Sequence, residues 1–413
     1  MTDSSRRHLL AALGGMACGA WAPGVWAQAA PAAAEATGGR LVVLFLRGAY
    51  DGASALVPWA DRAYHAARPN IAIPAPDGSA STAIRLDDRF ALHPALAPLA
   101  PLWRQGALAA VPQAGLPAPN RSHFDAQYLM ELGQTTKSGT PHGWLNRLAA
   151  RQAGPEAALA VGEANPAILA GPAGVRQIPR GQAAERTGML ANDRARAALQ
   201  DLYAANPRLA DAFRQGANSR MDSAATLSRE MQAAQGGMDG PADARGLVLD
   251  AQHLGALMRT DPRLRIGFLS AGGWDTHANQ GAVDGQLANN LASLAQGVVE
   301  LRRQFSQPGD VIVVMSEFGR TAAENGTRGT DHGFGNVLWL LGDRVQGGRT
   351  HGLWTGFAPG DLNESRDMPA HHDYRAVIAQ ALRASFGLDG SALQDVLPGA
   401  SWDTRLDGLL RRG

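Results

Sequence analysis

The chain has 413 residues, enough for one large α/β domain with an insertion, and its 45% hydrophobic and 18% charged content excludes a disordered or fibrous protein. Its 38 basic residues nearly balance 37 acidic ones, which excludes the basic surface of a nucleic-acid or anionic-membrane binder.

Residues 1–27 have the form of a twin-arginine export signal: Arg6-Arg7, an apolar stretch, then Val25-Trp26-Ala27 in the small-x-Ala pattern. The apolar stretch is well short of the about 20 residues that span a bilayer, so cleavage after Ala27 is expected rather than anchoring. Cleavage leaves 36 basic and 36 acidic residues and removes Cys18, the only cysteine. The expected mature protein is periplasmic or secreted, exported by the twin-arginine machinery, off the membrane once cleaved, and without disulfide or thiolate ligand. Residues 28–39 read as a flexible lead-in and 40–413 as a single domain.

Leu41 to Leu46 are six consecutive large apolar residues, the pattern of a central parallel strand, and Asp51-Gly52 follows in a turn. Asp51 is either a turn-forming residue or a functional carboxylate at a strand's carboxyl end. ALAAVPQAG at 107–115 predicts a second strand, and PAPNRSHFDAQYLMELG a helix after it. There Ser122 is either an N-cap paired with Asp125, or a nucleophile or anion site where helix N–H groups are free.

From about 150 to 262 the sequence turns Ala-, Gln- and Arg-rich with helical periodicity, and reads as a helical insertion, ALAVG at 158–162 being one further strand. The sheet pattern resumes with a strand from Arg265 to Leu269, followed by Asp275 and His277. In extended chain those two side chains share a side, as two ligands of one metal would or as a hydrogen-bonded turn would. A long helix then leads into DVIVVM at 310–315, and a loop crowded with Ser316, Glu317, Arg320, Asn325, Asp331 and His332 follows. VLWLL at 337–341 is another buried strand, and His351, His371 and His372 fall to packing or solvent.

Asp51, Asp275 and Glu317 thus each lie just past the carboxyl end of an apolar strand, the edge where open α/β sheets bind ligands. Three carboxylates on one edge repel one another without a cation. A metal resolves that conflict, and oxygen and imidazole donors without sulfur suit zinc, manganese or iron.

LVVLFLRGAYDG, NRSHFDA, GGWDTHANQ, SEFGRT and GTDHG together resemble the domain-of-unknown-function family 1501, exported proteins grouped with the alkaline phosphatase superfamily. The resemblance covers almost the whole mature chain. It implies an alkaline phosphatase-like three-layer α/β sandwich with a mostly parallel central sheet, and an exported metal-dependent hydrolase of phosphate or related small anionic esters. It further implies one or two divalent metals, zinc or manganese first, held by Asp51, Ser122, Asp275, His277, Glu317 and His332, with Ser122 as nucleophile. Arg47, Arg121 and Arg320 are the arginines placed to grip ester oxygens. Two departures bear on a second metal: the 275–277 spacing is tighter than the superfamily's, and no histidine follows Glu317. The alternative from another class is a non-catalytic exported binding or assembly protein that keeps the fold and one metal.

Overall fold

The computed structural model describes residues 38–411 apart from 138, 140, 153–155 and 235–245. The export signal, its cleavage point and nearly all of the lead-in therefore lie outside the described residues.

The run LVVLFL forms strand β1 (Leu41–Leu46), buried along its whole length. Its alternate residues explain why the run is apolar throughout. Leu41, Val43 and Phe45 enter one hydrophobic cluster, while Val42, Leu44 and Leu46 enter another on the opposite face. The other strands of the same sheet are β2 (Leu108–Gly115), β3 (Glu156–Val161), β4 (Gly174–Ile178), β5 (Ile266–Ala271), β6 (Val311–Ser316), β7 (Asn336–Leu341) and β8 (His372–Asp373). They make an eight-stranded sheet in the order β8-β2-β7-β6-β1-β5-β3-β4. All neighbouring pairs are parallel except those of β7, which runs antiparallel to both β6 and β2.

The first face is covered by helix α1 (His123–Leu132) and the helix Tyr374–Phe386, whose Leu129, Met130, Val377, Ile378 and Leu382 fill the core there. The second is covered by the helices Leu247–Thr260 and Gln286–Gln304, through Leu254, Leu257, Leu291, Leu294 and Val298. The protein is therefore an α/β fold around a mostly parallel sheet.

Segment 150–262 is helical from Asp193 onward, in Asp193–Tyr203, Pro207–Ala234 and Leu247–Thr260, but its first part supplies the strands β3 and β4. It is thus partly sheet and not helical throughout. β4, GVRQI, sits at the edge with only Ile178 buried, so its polar residues carry no buried-strand pattern. Among the described residues no helix is long and apolar enough to cross a membrane.

Register places the site. Leu46 of β1 lies opposite Ala271 of β5 and Ser316 of β6, so three parallel strands end at the same level. The segments that follow, beginning at Arg47, Gly272 and Glu317, leave the sheet together at its carboxyl edge, where α/β folds bind ligands.

Candidate metal centre

Ser122 caps α1 in extended backbone, its Oγ accepting the Asp125 N–H at 3.4 Å, and this puts His123 at the first helical position. One turn on, Gln127 points the same way. Both reach Glu317, the residue after β6. Glu317 is fully buried, and its Oε1 accepts from His123 Nδ1–H at 2.7 Å, from Gln127 Nε2–H at 2.8 Å and from the Gly48 N–H at 2.8 Å. Its Oε2 accepts from Ser316 Oγ at 2.9 Å. Burial pushes this carboxyl up, yet the His123 and Gln127 hydrogen bonds outweigh it and hold Glu317 below its ordinary range. The same bond to Glu317 raises His123 against its partial burial.

His332 is carried to this edge by the loop after β6, which returns as an isolated bridge between Arg320 and His332. Such close passage needs glycine: a Cβ on Gly319 would stand 1.9 Å from the Gly335 carbonyl oxygen. His332 Nδ1 donates to the Arg121 carbonyl at 2.8 Å, and His277 Nδ1 to Asp331 Oδ1 at 3.0 Å.

These partners fix the tautomers. In all three imidazoles Nδ1 is the donor, because its partner is a carboxylate or a carbonyl that can only accept, so in the neutral ring each Nε2 carries a lone pair. Those lone pairs converge. His123 Nε2 and His277 Nε2 each lie 3.0 Å from His332 Nε2. Asp275 adds its oxygens, Oδ1 at 3.2 Å from His332 Nε2 and 2.9 Å from His277 Nε2, and Oδ2 at 3.5 Å from His123 Nε2. Acceptors this close repel unless a proton or a cation lies among them. Donors of a tetrahedral ion with bonds of about 2.0–2.1 Å stand roughly 3.3–3.4 Å apart. His123, Asp275 and His332 therefore form a group that could hold a metal ion, with His277 beside two of the three. Carboxylates behind His123 and His277, and a carbonyl behind His332, are the supports that orient metal-bound imidazoles. Asp275 and His277 are 43% and 45% exposed, so the group opens to solvent.

Asp275 is also held by Arg320, whose Nη2 reaches Oδ1. Against partial burial, that guanidinium above all keeps the Asp275 carboxyl low.

Several expected site residues do other work. Asp51 is not in the group: it is buried against Arg68 at 2.6 Å, and Ser54 Oγ and Gln280 Nε2 also donate to its Oδ2. Its charge is balanced by an arginine, so the argument that three carboxylates require a metal fails for this one. Glu317 orients His123 and has no contact with the converging Nε2 atoms, which makes it a support rather than a ligand. Ser122 is an exposed cap whose hydroxyl contacts Asp125 and none of the four converging side chains.

The three arginines are engaged as well. Arg47 is bound by Glu131 at 2.7 Å, Glu163 at 2.8 Å and Gln127 at 2.9 Å. Arg121 grips Asp367 and Glu364. Arg320 is buried, spending its donors on the carbonyls of Gly48, Ala49, Trp274 and Thr330 besides Asp275.

His123 is the residue the sequence reading passed over. It lies inside the quoted NRSHFDA, and the helix start that drew attention to Ser122 was the signal for its neighbour. No curated protein sequence matches this chain. Residues 39–397 match the family model described as "Protein of unknown function (DUF1501)", and the chain belongs to that family.

Proposed function

We propose that this protein is an exported metal-dependent hydrolase of phosphate or related anionic esters, with an alkaline phosphatase-like fold. The observation that carries the reading is the convergence of His123, His277 and His332 Nε2 on Asp275, each ring held from behind through Nδ1. His123, Asp275 and His332, with His277 adjoining, would hold one divalent ion, zinc before manganese because three imidazoles and a carboxylate suit it. Bound there, the ion supplies Lewis-acid polarisation of an ester oxygen and eases ionisation of a hydroxyl.

Glu317 and Asp331 keep the imidazoles in the ligating tautomer, and Arg320 offsets the Asp275 charge. Ser122, exposed and one residue from His123 with only a long 3.4 Å cap bond, is the hydroxyl offered as nucleophile. The test is elemental analysis of protein purified without added metal, followed by turnover of an aryl phosphate, a phosphodiester and an aryl sulfate. Stoichiometric zinc, with turnover lost in Ser122→Ala and in His332→Ala, supports the full reading. Turnover that survives Ser122→Ala removes the nucleophile assignment.

A second reading, a non-catalytic exported binding protein with one metal, is favoured by the engagement of Arg47, Arg121 and Arg320 in internal ion pairs. Bound metal without turnover of any of the three esters selects it.

A further inference from the structure

A cavity of about 520 Å³, within the size range of small-molecule sites, is lined by Asp331, the carboxylate behind His277. Its walls are largely apolar, with Ala66, Phe357 and Leu362 among them, and its polar side carries Asn325, Asp331 and Glu324, the last tied to the Asn70 and Ile71 N–H groups. Asp331 is the carboxylate that holds His277, and Asn325 Nδ2 donates to the same Oδ1 at 3.1 Å, so the polar side is the back of the metal group.

Arg366 is the only cation lining this cavity among the described residues. Its Nη1 contacts both oxygens of Asp367, at 2.9 and 3.1 Å, and among the described residues no acceptor takes its Nε or Nη2. Its side chain is 39% exposed. Arg47 and Arg121 are each gripped by two carboxylates and Arg320 is buried among carbonyls and Asp275, whereas Arg366 faces a single carboxylate. It is also near enough to Asp331 to add to the effect of His277 in keeping that carboxyl low.

We propose that this cavity is the substrate subsite, its apolar walls taking an aryl or similar small apolar group of an anionic ester whose charged oxygens meet Arg366. The inference rests on the hydrolase reading for the word substrate, but the subsite can be tested without turnover. Phenylphosphonate and methylphosphonate carry the same anion and cannot be hydrolysed at their P–C bonds. Calorimetry on zinc-loaded protein should show phenylphosphonate binding more tightly than methylphosphonate.

Arg366→Ala should weaken both by roughly ten- to a hundredfold, the range for hydrogen bonds to a charged group. Ala66→Trp, an exposed substitution that fills the cavity, should cut the preference for phenyl over methyl by about tenfold or more. Ala323→Trp, also exposed and lining the cavity, serves should the first variant fail to fold. Equal binding of the two phosphonates, no binding of either, or a phenyl preference untouched by the tryptophans would overturn the subsite. Selective binding without turnover of any ester would leave the subsite standing while the hydrolase reading falls. Ester turnover with Arg366→Ala and both tryptophan variants matching wild type would do the reverse.

Discussion

Glu317 Oε1 and His123 Nδ1 stand 2.7 Å apart, joining the end of β6 to the start of α1 across 194 residues of sequence. The pair sets which nitrogen of His123 faces the centre. Glu317→Gln keeps the shape but removes the charge, and its amide can present an N–H where His123 needs an acceptor. Zinc affinity should fall about 10–100-fold, the usual effect of losing such a support, read by competition with a chromophoric chelator. An unchanged affinity would take Glu317 out of the centre.

Arg68 and Asp51 form a buried pair, and removing one partner strands the other's charge. Arg68→Met should lower unfolding stability by about 3–5 kcal/mol in a urea titration. Asp51→Asn should also destabilise but leave metal content as in wild type. Loss of metal in Asp51→Asn would restore that carboxylate as a ligand.

Acid should destabilise the protein through His372. Its Nδ1 donates to Asp403 at 2.7 Å while its Nε2 accepts the Leu353 N–H at 2.7 Å, so the folded state uses the neutral ring. Burial lowers His372 and prevails over the help that Asp403 gives the charged form. The carboxylate's own bonds hold Asp403 down to about 2, the Arg405 bond foremost against burial, so it stays ionised as His372 titrates. A histidine whose folded pKa is depressed contributes stability above its ordinary value of 6.5, and that contribution is lost as pH falls through the folded value. The melting temperature should drop between pH 7 and 5, and His372→Gln should flatten that slope. A slope identical in the variant would assign it elsewhere, with buried His93 the next histidine to try.

Chelation should lower the melting temperature if the centre is loaded, since a ligand present at 100 times its Kd adds about 2.7 kcal/mol to the folded state. His332→Ala should melt at the same temperature with and without chelator. A wild type indifferent to chelator would contradict the metal assignment.

The strands were the most legible part of the sequence. LVVLFL, VIVVM and VLWLL are buried on both faces, so their apolarity is continuous and local. β4 was not legible, because an edge strand with Arg176 and Gln177 half exposed has no periodic mark. In the site, Asp275 and His277 were suggested by a strand end and their spacing, and His332 by the family resemblance. The roles of Asp51 and Glu317 could not. Whether a carboxylate at a strand end meets a metal, an arginine or an imidazole depends on partners such as Arg68 and His123, 17 and 194 residues away. Ser122 and His123 show the limit at its narrowest: the helix start was evident, but which of two adjacent side chains turned toward the sheet edge was a matter of tertiary direction.

His123 and His332 meet Nε2 to Nε2 although 209 residues separate them. No nascent chain that stops short of residue 332 can assemble the pair, so an ion bound there is chosen by a finished fold and not captured by an emerging peptide. A chain released from the ribosome without an ion there would have to acquire one as an already folded body, and the surroundings in which it does so would decide which metals compete for the place.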